Sequence, residues 1–96
     1  MDVRDAAREA DSMQVLDVRE DFEWTEGHIE GALHIPLAQL PSRFGELDAV
    51  RRVLAVCHVG QRSAMASAFL RERGFDAHNL EGGLDAWAAE GLPLVD

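Results

Sequence analysis

At 96 residues the chain can build one hydrophobic core, and its 47% apolar content suits one folded globular domain spanning residues 1–96. Eighteen acidic residues stand against nine basic ones, all of them arginine, for a net charge of −9; with no basic stripe to neutralise phosphates, nucleic acid and anionic lipid surfaces are excluded as partners. A single cysteine excludes an internal disulfide framework and any zinc site built on a cysteine pair.

Residues 2–10 read as a short helix with Val3, Ala6, Ala7 and Ala10 on one face. Residues 1–12 are charged throughout, so neither a signal peptide nor a membrane span is expected, and a cytoplasmic location follows. Residues 14–18 read as a brief strand that ends on charge. Residues 21–25 fit one helical turn with Phe22 and Trp24 available for burial, Trp24 suiting either the core or a pocket wall. Residues 27–31 form a glycine-bounded loop, and 32–35 a short strand stopped by Pro36. Residues 37–44 are helical unless Pro41 marks the start.

Residues 52–56 are nearly all apolar, which predicts a central strand covered on both faces. The strongest helix pattern covers 63–73, with Ala64, Ala68 and Phe69 on its buried side and Gly74 as its left-handed stop. Residues 76–80 form a further strand, and Gly82-Gly83 turns the chain into a last helix over 84–90 with Leu84 and Trp87 in the core. Strands and helices alternate, which makes the fold class α/β, with a parallel sheet flanked by helices on both faces.

The lone cysteine, Cys57, ends the central strand and opens the stretch His58-Val59-Gly60-Gln61-Arg62-Ser63 before the strongest helix. The carboxyl end of a strand in an open α/β sheet is where ligands bind. A free thiol titrates near ~8.5, and a helix N-terminus or a cation lowers that value. Gly60 permits a backbone that turns successive N–H groups inward, Arg62 supplies a positive charge, and Ser63 suits the N-cap. A lone cysteine at a strand end is most often a small buried hydrophobe. An inert residue has no need of the glycine, arginine and serine that follow this one.

The loop 57–63 resembles the active-site loop of single-domain rhodaneses, Cys-x-x-Gly-x-Arg-Ser. Leu16-Asp17-Val18-Arg19-Glu20 followed by Gly27-His28-Ile29-Glu30-Gly31-Ala32 resembles that family's N-terminal signature, and Leu80-Glu81-Gly82-Gly83 with Trp87 and Gly91-Leu92-Pro93 its C-terminal one. The resemblance implies a rhodanese fold around a parallel five-stranded sheet, and sulfurtransferase chemistry that needs no metal or organic cofactor. Cys57 would take sulfur from a donor such as thiosulfate as a persulfide and pass it to cyanide, or to a thiol such as glutathione, thioredoxin or a partner protein. The backbone N–H groups of residues 58 to 63 would hold the negative charge. Related phosphatases and arsenate reductases carry a longer loop, whereas Arg62 is the fifth residue after Cys57 here.

The same resemblance places Asp17 near the loop, bonded to its backbone or to Arg62, with Arg19 beside it in a supporting role. Arg62 is the candidate to contact the donor's anionic group; the alternative is a structural ion pair with a carboxylate. His58 and Gln61 are expected to shape the pocket rim. His28 suits a buried, hydrogen-bonded loop position rather than a general base, and His34 and His78 look structural or solvated. Relatives have a further strand before the first helix, but only Met1 and Asp2 precede Val3 here, so that strand is expected to be truncated. Two alternatives to a thiosulfate enzyme stand beside it. One is a sulfur relay serving a dedicated partner; the other is a rhodanese-like binding module, which the retained cysteine disfavours.

Overall fold

The computed structural model describes residues 1–96. The segment predicted as central is central. Strand β3 (Val53–Val56), buried at every position, lies between β1 (Gln14–Asp17) and β4 (Ala77–Asn79), and β2 (Leu33–His34) pairs with the far side of β1. All three pairings are parallel, in the order β2-β1-β3-β4. The sheet therefore has four strands where five were expected. Asp2 caps the first helix with its carboxylate, accepting from the N–H groups of Arg4 and Asp5. Met1 lies along the edge of β4: its ammonium donates to the Asn79 carbonyl at 2.8 Å, and Glu81 N–H donates to the Met1 carbonyl at 2.9 Å. These are the bonds of a parallel neighbour to β4, reduced to one residue.

Helices α1 (Val3–Glu9) and α5 (Gly83–Ala89) cover one face; α3 (Leu40–Arg43) and α4 (Gln61–Glu72) cover the other. Strand alternation divides β3 between the two cores. Val53, Ala55 and Cys57 join Leu16, Val18, Ala66 and Leu70 on the α4 side, while Leu54 and Val56 join Val15, Leu84 and Trp87 on the α1/α5 side. A continuous helix over 37–44 does not form. Proline has no N–H to complete it, and the segment breaks into a 3₁₀ turn at Leu37–Gln39, α3 with Pro41 in its first turn, and a second 3₁₀ turn at Phe44–Glu46.

Helix α4 starts two residues earlier than predicted, with Gly60 as N-cap and Ser63 inside the first turn. Its buried side is Ser63, Ala66, Ser67 and Leu70, whereas Ala64 and Ala68 are exposed. Apolar periodicity missed this face because two of its members are serines. The Ser67 hydroxyl is satisfied within the helix, donating to the Ser63 carbonyl at 2.9 Å. Ala7 is likewise exposed rather than on the buried face of α1. Gly74, at φ +88°, follows α4 as expected.

The one-turn helix α2 (Asp21–Trp24) leaves Phe22 70% exposed, contrary to its predicted burial. Trp24 instead lies flat between two imidazoles, 3.5 Å from the His28 ring and 4.7 Å from the His34 ring. Leu54 is fully buried in the α1/α5 core. Leu54→Ala is expected to cost about 2–5 kcal/mol in urea unfolding; Phe22→Ala is expected to stay within about 0.5 kcal/mol of the parent.

Candidate active site

Alternation along β3 continues one residue past its end and turns Cys57 into the α4-side core, where the residue is 1% exposed. The chain then reverses over residues 58–60 and enters α4. Gly60 makes that reversal at φ +103°, in the region that favours glycine. The turn brings Gly60 N–H to 3.1 Å, Ser63 N–H to 3.4 Å and the Ser63 hydroxyl to 3.2 Å from Cys57 Sγ. Burial pushes the thiol up, but the Ser63 hydroxyl and the N–H groups of Ser63, Gly60 and Arg62 outweigh it and hold Cys57 below its ordinary value. Ser63 is thus a ligand of the sulfur rather than the helix cap.

The Gly82-Gly83 turn packs on the back of the loop. A Cβ on Gly83 would lie 2.4 Å from the His58 carbonyl oxygen and 2.6 Å from that of Cys57. Contact this close lets Leu84 N–H bond the Cys57 carbonyl at 2.9 Å and Asp85 N–H the His58 carbonyl at 3.1 Å. Asn79, at the end of β4, ties the loop from the side: its Nδ2 donates to the Gly60 carbonyl at 3.1 Å, and its Oδ1 accepts from the Ser63 hydroxyl at 2.5 Å. Gly83 was read from the sequence only as a turn residue, and Asn79 was not singled out. An amide in a short, otherwise apolar strand segment is the signal that points to Asn79.

Arg62 makes the ion pair that was its alternative role. Its Nη1 and Nη2 bond the two Glu23 oxygens at 2.7 and 2.9 Å. That fork, with a further bond from Glu20 N–H, overcomes burial and holds the Glu23 carboxyl at about 2. Glu23 lies on α2, far from the loop in sequence, and no spacing rule marks it. Asp17 does not reach the loop or Arg62. Alternation places it on the face opposite Cys57, where its fully buried carboxylate accepts from the Arg19 backbone N–H at 3.0 Å and from Arg19 Nε and Nη2 at 3.0 and 2.8 Å. Arg19 passes the tie on by donating to the Gly27 carbonyl at 2.8 Å.

His58, Val59 and Gln61 are exposed and give the sulfur no hydrogen bond. The His58 ring sits 2.9 Å from the Asp85 carboxylate, and the two line a cavity of about 170 Å³ with Arg19, Leu84 and Ala88. Trp24 takes no part in that cavity. His28 is half-buried and its Nδ1 bonds the Trp24 carbonyl at 3.0 Å. No group of three histidine, cysteine or carboxylate side chains converges as a metal site requires, and no helix is long and apolar enough to cross a membrane.

A buried cysteine thus sits between a parallel strand and a helix with two backbone N–H groups and one hydroxyl directed at its sulfur, an arrangement able to stabilise an anion. Residues 2–90 match the rhodanese-like domain family, and the chain belongs to that family. It is 41% identical over 91 residues to a sulfurtransferase of Allochromatium vinosum, a match covering 92% of this chain and 85% of the relative. It is 38% identical over 80 residues to the thiosulfate sulfurtransferase GlpE of Shewanella oneidensis, covering 82% of this chain and 79% of that one. The crystal structure of a rhodanese-related protein from Thermoplasma volcanium superposes with a TM-score of 0.95 at 34% identity, covering 99% of this chain and 95% of the other. The fold is the rhodanese fold, here with a four-stranded sheet.

The Glu23 carboxyl is held below its unfolded value of 4.5, so its ion pair stabilises the fold above pH 4.5 and ceases to do so as pH falls through about 2. Glu23→Gln is therefore expected to be less stable than the parent at neutral pH. The difference is expected to shrink between pH 4.5 and 2 in acid-dependent urea titrations.

Proposed function

We propose that this chain is a sulfurtransferase that carries sulfane sulfur as a persulfide on Cys57. One observation carries the reading: the sulfur is buried at the N-terminus of α4 with a hydroxyl and backbone N–H groups aimed at it. Such donors stabilise a thiolate and, after reaction, a persulfide anion, without rearranging. The relatives named as sulfurtransferases support the same chemistry.

The Cys57 thiolate attacks the outer sulfur of a donor such as thiosulfate. A new S–S bond forms, the donor's S–S bond breaks, and sulfite leaves with the bonding pair. An acceptor thiolate, or cyanide, then attacks the outer persulfide sulfur, and Cys57 leaves as the thiolate. The N–H groups of Gly60 and Ser63 stay on the sulfur through both steps. Asp17 and Arg19 act from the opposite sheet face as a brace for residues 19–27, not as groups that touch substrate.

A second reading draws on the Arg62 ion pair. A guanidinium whose fork is filled by Glu23 is not free to take the sulfonate end of a dianionic donor. That favours a donor without a sulfonate end, a persulfide on a small thiol or on a protein, with transfer to the thiol of a dedicated partner.

Intact mass separates the two. The parent is expected to gain one sulfur atom from thiosulfate and to lose it to cyanide, with no gain in Cys57→Ala. Gain from glutathione persulfide but not from thiosulfate selects the relay reading. A parent that gains sulfur from neither donor, with its thiol still open to alkylation, would sink both.

A further inference from the structure

The Ser63 hydroxyl carries one proton and faces two acceptors. Cys57 Sγ is 3.2 Å away and Asn79 Oδ1 is 2.5 Å away. The Asn79 amide is oriented by its other end, since Nδ2 donates to the Gly60 carbonyl at 3.1 Å and leaves Oδ1 able only to accept. The shorter contact therefore claims the Ser63 proton while Cys57 is a thiol. The lone pair this exposes on Ser63 accepts the S–H, giving a chain from S–H through O–H to the amide carbonyl. When the thiol ionises the hydroxyl must turn from Asn79 to the sulfur.

We propose that Asn79 is a positioning residue that acts through Ser63: it competes with Cys57 for the hydroxyl proton and so sets how readily the thiol ionises. Its relevance to catalysis rests on Cys57 being the sulfur-carrying residue. The charged groups on the neighbouring elements do not supply the effect instead, because the Asn79 variants leave them as they are: Arg62 bonded to Glu23 with Glu20 nearby, Arg19 bonded to Asp17, and His58 beside Asp85. Ser67, the next buried hydroxyl on α4, donates to the Ser63 carbonyl and not to the sulfur.

The test reads ionisation directly and needs no sulfur donor, so its result does not depend on whether the chain transfers sulfur. The ultraviolet absorbance of the thiolate is titrated against a Cys57→Ala blank; the chain has no tyrosine to interfere. Asn79→Leu keeps the branched shape and removes the competing acceptor, with Asn79→Ala as the second variant where the larger leucine does not fit. Either is expected to raise the thiolate-to-thiol ratio at a fixed pH below the midpoint by about three- to tenfold, the worth of one hydrogen bond. Ser63→Ala is expected to lower that ratio. In the Ser63→Ala background, Asn79→Leu is expected to change nothing further. An unchanged or lowered ratio in Asn79→Leu overturns the proposal. So does a rise that persists without the Ser63 hydroxyl, which would make Asn79 a packing residue.

Discussion

A cysteine that is 1% exposed, with its thiol held below its ordinary value, sets the terms for the surrounding structure. Burial alone disfavours the thiolate, so the donors around Cys57 must more than offset it. Those donors exist only because the chain reverses within three residues of the strand end. The reversal needs Gly60 at φ +103°, and the reversed loop needs a neighbour that can approach its carbonyls without a side chain. Gly83 is that neighbour. The glycine pair near the C-terminus and the glycine of the loop are thus two halves of one constraint. Leu84 and Asp85 complete it by satisfying the carbonyls of Cys57 and His58 as α5 begins.

Two ion pairs carry order from the sheet to the loop by different routes. Asp17 and Arg19 are both buried, on the face away from the sulfur, and Arg19 fastens the Gly27 carbonyl. Breaking such a pair by removing one partner leaves an uncompensated buried charge, at a cost of about 3–5 kcal/mol. This pair fixes the two ends of the segment that contains α2, which carries Glu23, and Glu23 fixes the Arg62 guanidinium at the start of α4. A residue with no contact to the sulfur can therefore move the loop that holds it. Trp24, stacked between His28 and His34, rigidifies the same segment.

The sequence carried the parts of this arrangement that are local. A run of apolar residues named the central strand, glycine named the turns, and Cys57 with its six following residues named the site. Three kinds of information were not local. The buried face of α4 contains Ser63 and Ser67, whose hydroxyls are satisfied by partners that only the fold supplies. The side on which Asp17 lies depends on strand alternation counted from its neighbours in the sheet. The partners Glu23 and Asn79 stand 39 and 16 residues from Arg62 and Ser63, distances over which no periodicity operates. The missing fifth strand is different again. Its hydrogen bonds survive at Met1, so the edge is shortened, not lost.

Net charge bears on the chemistry less than −9 suggests. At physiological ionic strength exposed charges are screened beyond about 8 Å, so most of the acidic surface has little influence at the sulfur. Close to the loop, Glu23 is bonded to Arg62 and Asp85 lies against His58. No cation bonds the sulfur, and the thiolate is favoured by dipoles: two backbone N–H groups and one hydroxyl within hydrogen-bonding distance, at the end of a 12-residue helix. Fixed dipoles of this kind do not discriminate between the charge on a thiolate and that on a persulfide, so under the proposed function one cradle would serve both states. Under that proposal, discrimination between donors would fall to the rim, where a filled Arg62 fork replaces the free cation that a dianion would seek.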